Sequence, residues 1–108
     1  MCHYQTLYYQ ENTGYVIRCA QCDKIQMSFG NFVISLDPPE FFNFCDWIAK
    51  VKAEQAPSPN PLLKTLMIPT PCEGLQLFLS SRELGELNEM LEIADTELKS
   101  SELLKLFN

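Results

Sequence analysis

The sequence predicts an α+β domain. It reads as an antiparallel sheet with two helices, in the order β-β-β(-β)-α-β-β-α, with a zinc-knuckle-like Cys-x-x-Cys turn between strands. Three observations carry this. The first third of the chain consists of short runs rich in β-branched and aromatic residues, separated by Asn, Gly and Cys turns. Two later stretches open on capping signatures and then repeat apolar residues every three or four positions, the period of a helix. No β-α-β unit shows the near-continuous apolar strands of a buried parallel sheet, so helices covering one face of an antiparallel sheet are expected.

The elements follow in order. Gln5 to Gln10 reads as a strand, Glu11-Asn12-Thr13-Gly14 as a turn, and Tyr15 to Cys19 as the returning strand of a hairpin. With the turn at Glu11 to Gly14, Gln10 faces Tyr15, Thr6 faces Cys19, and His3 falls opposite Cys22 with Cys2 beside it. Ile25 to Leu36 reads as one long β segment whose alternation changes phase at Gly30-Asn31, as at a bulge or corner. A two-residue hairpin at Gly30-Asn31 is the alternative. Asp37 suits a helix N-cap, Pro38 the first helical position and Glu40 the capping box. That helix presents Phe41, Phe44 or Cys45, Ile48 and Val51 on one face, widened by Phe42 and Trp47, and ends near Gln55.

The proline-rich run 56–61 reads as a surface loop within one domain spanning 1–108. Strands are expected over Leu63 to Thr70 and Gly74 to Leu79, joined by a turn that carries Cys72. Ser80 with Glu83 caps the last helix, whose buried stripe is Leu84, Leu87, Leu91, Ala94 and Leu98. Glu86, Glu89 and Glu92 form its outer face. Ser100-Ser101 is expected to interrupt it before an apolar cluster of Leu103, Leu104 and Phe107, which either tucks onto the sheet or forms a homodimer contact.

At 108 residues the chain holds one core, and a domain of this size gains from a metal staple. The net charge is −6, balanced over 1–36 and most negative over 81–108. Eight scattered Lys and Arg residues build no basic patch that would track phosphates, so nucleic acid is excluded as a partner. No apolar run approaches the roughly 18 residues of a membrane span, and no signal peptide is visible. The chain therefore reads as cytoplasmic, where five cysteines do not form a disulfide framework.

Cys19 and Cys22 supply half of a tetrahedral zinc site, and the hairpin brings Cys2 and His3 to them; Cys72 is the substitute for one of these. Neighbouring strand residues point to opposite faces, so Cys2 and His3 both ligate only if they leave the ladder. Reduced thiols without metal are the alternative, with Cys45 simply buried in an aromatic helix. A thiol redox or metal-responsive role for Cys19 and Cys22 is a further reading. It is weakened because a strand, not a helix N-terminus, follows Cys22. For other catalysis the sequence offers one histidine, at position 3, no phosphate loop and no nucleophile elbow. The function expected is a non-enzymatic, zinc-stabilised module that binds an unidentified protein or small ligand.

With these residues in view, the chain resembles a family of small bacterial proteins known only as a domain of unknown function. The likeness rests on Met1-Cys2-His3, on Gly14-Tyr15-Val16 leading to Cys19-x-x-Cys22, and on Phe29-Gly30-Asn31. It continues through Met67-Ile68-Pro69 and the Leu-rich stretch from Ser80 to Ala94. The resemblance implies no activity and is compatible with Cys2, His3, Cys19 and Cys22 acting together.

Overall fold

The structure, a computed structural model, describes residues 3–56 and 58–107. Strands β1 (Tyr4–Gln10), β2 (Gly14–Cys19), β3 (Ile25–Phe29) and β4 (Phe32–Leu36) form an antiparallel sheet in sequential order. Cross-strand partners share a face, and here Val16, Met27 and Ile34 line up across three strands, all buried. This face meets both helices.

The first hairpin is tighter than the sequence suggests. Gly14 belongs to the strand, facing Gln10, and Thr13 N–H donates to Gln10 O at 3.0 Å. The expected pairing of Gln10 with Tyr15 is therefore one residue out. A bulge at Leu7 adds a second slip, so Thr6 faces Ile17 and Tyr4 faces Cys19. Leu7 and Tyr8 both turn to the core, which consecutive residues of a regular strand cannot do.

Residues 25–36 form two strands, not one bulged segment. Phe29 faces Phe32 across a two-residue Gly30-Asn31 loop, with ring centroids 6.3 Å apart in edge contact. Gly30 has φ +60°, while Asn31 stays out of the positive region. That is the II′ pattern, whose twist matches the strands it joins.

Helix α1 (Pro38–Glu54) starts as expected, with Asp37 at the N-cap and Glu40 Oε1 accepting the Asp37 N–H at 2.9 Å. Phe41, Phe44, Cys45 and Ile48 are its buried face. Trp47 does not widen that face and is 42% exposed. Phe42 is half-buried, with Lys99 Nζ 5.7 Å above its ring.

Strands β5 (Lys64–Pro69) and β6 (Gln76–Ser80) form a separate two-stranded sheet. Ile68, Leu77 and Leu79 send their side chains into the same core as the larger sheet. Helix α2 (Ser81–Lys105) is capped reciprocally: Glu83 N–H donates to Ser80 Oγ at 3.2 Å and Ser80 N–H to Glu83 Oε1 at 2.9 Å. Its buried stripe is the expected one plus Met90.

The expected break at Ser100-Ser101 is absent, and the helix runs on to Lys105. Ser101 Oγ accepts the Gln5 side-chain amide at 2.6 Å, and Glu102 pairs with Arg18, so the sheet holds these turns from the side. The apolar tip does not tuck onto the sheet: Leu103, Leu104, Leu106 and Phe107 are all more than half exposed. Among the described residues, no helix is long and apolar enough to cross a membrane.

Candidate metal centre

Cys19 ends β2, and six residues later Ile25 opens β3. The turn between them is closed by Cys19 N–H donating to Lys24 O and Asp23 N–H donating to Cys19 O, each at 2.9 Å. A third bond runs to sulfur: Cys22 N–H donates to Cys19 Sγ at 3.3 Å. A main-chain amide aimed at a sulfur is a contact that a metal-bound sulfur can keep. Asp23 takes φ +66°, the left-handed conformation that a knuckle usually assigns to glycine. Aspartate is among the non-glycine residues that enter this region most readily.

The start of β1 is stitched to this turn. Ala20 N–H donates to His3 O at 2.8 Å, and His3 N–H to Gln21 Oε1 at 2.6 Å. The Gln21 oxygen also lies 3.8 Å from Cys19 Sγ. The slipped register thus sets His3 against Ala20 and not, as expected, against Cys22. Cys19 is buried and Cys22 exposed, so the second thiol faces outward at the rim of the turn.

Cys2 lies outside the described residues. Cys72 is exposed in the loop between β5 and β6, where its N–H is bonded to Thr70 Oγ1. Among the described residues, no three His, Cys, Asp or Glu side chains are grouped closely enough to hold a metal ion. The structure brings together Cys19, Cys22 and the His3 main chain, and it gathers neither the His3 imidazole nor Cys72 with them into one ligand group. The element that follows Cys22 in the chain is the strand β3, not a helix.

One residue of this region was missed in the sequence: Arg18. It is 5% exposed, in phase with Val16 on the core face of β2. Its Nη1 donates to Glu102 on α2, and its Nε lies 3.2 Å from Asp23 Oδ1, off the line of a hydrogen bond. A buried guanidinium thereby joins the knuckle to the last turns of α2. The signal was an Arg at an inward position of an otherwise apolar strand, which burial tolerates only with a partner. A further tie runs from Lys24 Nζ to Asp37 Oδ1 at 2.8 Å, linking the knuckle to the cap of α1. The Asp37 hydrogen bond and charge raise the Lys24 pKa.

Arg18→Ala is expected to cost roughly 2 kcal/mol, the loss of its buried methylenes. Arg18→Met, which keeps the stem, should recover over half of that in urea titrations. Glu102 is held below the usual carboxylate range by the Arg18 hydrogen bond first and Lys105 second. Its ion pair contributes fully above the ordinary glutamate pKa and is lost as pH falls through the depressed folded value. Melting of Arg18→Met should therefore be less acid-sensitive than wild type below about pH 4.5. Equal acid sensitivity would remove the pair from the account.

Cys45 has a different character. It is buried between α1 and α2, and burial first, then Asp95 and Asp46, push its thiol up to about 12. It remains a neutral, small apolar side chain in the core.

Searches of curated proteins and of solved structures return no match. A family model described only as a family of unknown function, DUF6686, matches residues 1–108. By that full-length match the chain belongs to the DUF6686 family of unknown function.

Proposed function

We propose that this protein is a small metal-stabilised binding module, with a structural zinc ion held by Cys2, His3, Cys19 and Cys22. The observation that supports it is the Cys19–Lys24 turn, where a main-chain N–H points at Cys19 Sγ and Asp23 adopts the left-handed corner. This is a tight turn of the kind a Cys-x-x-Cys half-site uses, and the exposed Cys22 thiol would turn toward the buried Cys19 sulfur to share one cation. The other half-site comes from the chain start, which His3 anchors at the same turn. In this reading the metal is a clasp between the first strand and the turn, not a catalyst.

Elemental analysis of protein purified without added metal should find about one zinc per chain, and a strong chelator should unfold it. Metal-free protein that stays folded would overturn the reading. A mild-oxidation arm of the same experiment, in which a reversible Cys19–Cys22 disulfide formed, would move the function to thiol redox chemistry.

The exposed tip of α2 is the surface we assign to a second copy, through Leu103, Leu104 and Phe107. Large exposed apolar clusters mark contact surfaces. Light scattering at high concentration should give twice the chain mass, reverting to the single mass in Leu104→Lys. A single mass for the wild type would reject the dimer.

A further inference from the structure

We infer that the free edge of β6 is a strand-docking groove, which takes an extended apolar segment of a partner protein by main-chain pairing. Among the described residues, strand β6 pairs with β5 on one side only. Thr70 N–H donates to Leu75 O at 3.3 Å, one of the two bonds of a hydrogen-bonded pair, while Leu75 N–H turns into the loop to Cys72 O at 3.2 Å. Antiparallel pairs alternate, so Pro69–Gln76 and Met67–Phe78 are non-bonded pairs, and the N–H and C=O of Gln76 and Phe78 point away from β5. Pro69 agrees with this phase, because it has no N–H to give Gln76.

A groove of about 340 Å³ lies along that edge. One wall is β6 with the residue before it, lined continuously over 75–79; the other is the Phe29–Phe32 turn. Phe29-Gly30-Asn31 and Met67-Ile68-Pro69, two sequence motifs with no part in the knuckle, thus meet here as one wall and as the strand behind the other. Phe78 is 52% exposed and Leu75 37%, large apolar groups at positions where a docked strand would lay its side chains.

Lys64 guards the edge. Its Nζ donates to Phe78 O at 3.3 Å and to Glu83 Oε1 at 2.9 Å. A lysine over an unpaired strand edge is a known defence against indiscriminate pairing. A partner N–H would take over the Phe78 carbonyl, leaving Lys64 on Glu83. The occupant is a strand because the unpaired groups are main-chain donors and acceptors in strand phase. A second copy's β6 offers only five residues of extended backbone before α2 begins at Ser81, less than a free segment would bring.

The inference rests on the binding part of the proposed function and is independent of the metal. The test uses the full chain as purified, with zinc content read in parallel so that failure of either reading is visible separately. The probe is a library of random ten-residue peptides displayed on phage, with the best binder synthesised. On saturation with it, amide exchange at Gln76 and Phe78 should slow about tenfold or more. Gln76→Pro removes one outward N–H and no ladder bond, so it should fold normally and weaken binding about tenfold. The exchange measurement stands on the wild type even if that variant misfolds. A library without binders, or a binder that leaves both amides unprotected, overturns the inference. Concentration-dependent protection of the same amides without peptide assigns the edge to a second copy instead, and also overturns it.

Discussion

Replacing Gly14 with alanine is expected to cost on the order of 3–5 kcal/mol, a large part of what a domain of this size has. Two effects combine. Gly14 has φ +148°, which side chains rarely adopt, and a Cβ built there lies 1.8 Å from Ser28 O and 2.7 Å from Ser28 C. The obstacle is backbone at the centre of the sheet, so relief requires moving β3, which carries Met27 and Phe29 into the core. Gly30 is the internal control. It also has positive φ, at +60°, but a Cβ there meets nothing within 4 Å. Gly30→Ala should therefore show only the conformational penalty, about 1 kcal/mol. Urea denaturation of both variants separates steric from conformational cost. Gly14→Ala within about 1 kcal/mol of wild type would refute the close approach.

The second large effect is expected at Cys19. On the proposed ligand set, Cys19→Ser removes the sulfur that receives the Cys22 N–H. It should abolish zinc binding and lower stability by roughly 3 kcal/mol or more. Wild type with chelator should melt like Cys19→Ser without it, because both lack the same clasp. Cys72→Ser discriminates within the set: full zinc content keeps the ligands at Cys2 and His3, and lost zinc makes Cys72 one of the four. Calorimetry with parallel metal analysis reads all three. A Cys19→Ser protein that retains stoichiometric zinc would place the metal elsewhere.

What could be seen in the sequence follows how local each feature is. Both helix starts were legible, because Asp37 with Glu40 and Ser80 with Glu83 are capping signals within four residues. The stripe of α2 was legible from its period, and only Met90 was left out of it. Strand register was not: the tighter turn at Gly14 moves every pair by one, the extra residue at Leu7 moves Tyr4 to Thr6 by another, and no local signal marks either. Gly30-Asn31 allowed a bulge or a turn, and the choice fell to the Phe29–Phe32 pairing across the loop.

Long-range contacts were hidden for the same reason. Ser100-Ser101 reads as a break until Gln5 is placed beside it, 96 positions away. Trp47 fits the apolar face of α1 by type, yet it lines an open groove with Pro69 and Pro71. At the candidate metal centre the Cys-x-x-Cys turn was visible and Arg18 was not. The spacing of two thiols is a local pattern, whereas the carboxylate that is hydrogen-bonded to the buried cation, Glu102, lies 84 residues on.

That last separation orders the events of synthesis. The meander from β1 to β4 is joined by short turns, so its strands can pair as soon as they leave the ribosome. Arg18 then sits on a sheet whose inner face has no helix over it. Its main counter-charge emerges only with the last turns of α2, together with the Ser101 hydroxyl that receives Gln5. Until then the nascent sheet carries a solvated cation where its core will close, which delays burial of that end. The Arg18–Glu102 pair thus joins residues 84 apart, a contact that forms only once both the sheet and α2 are in place.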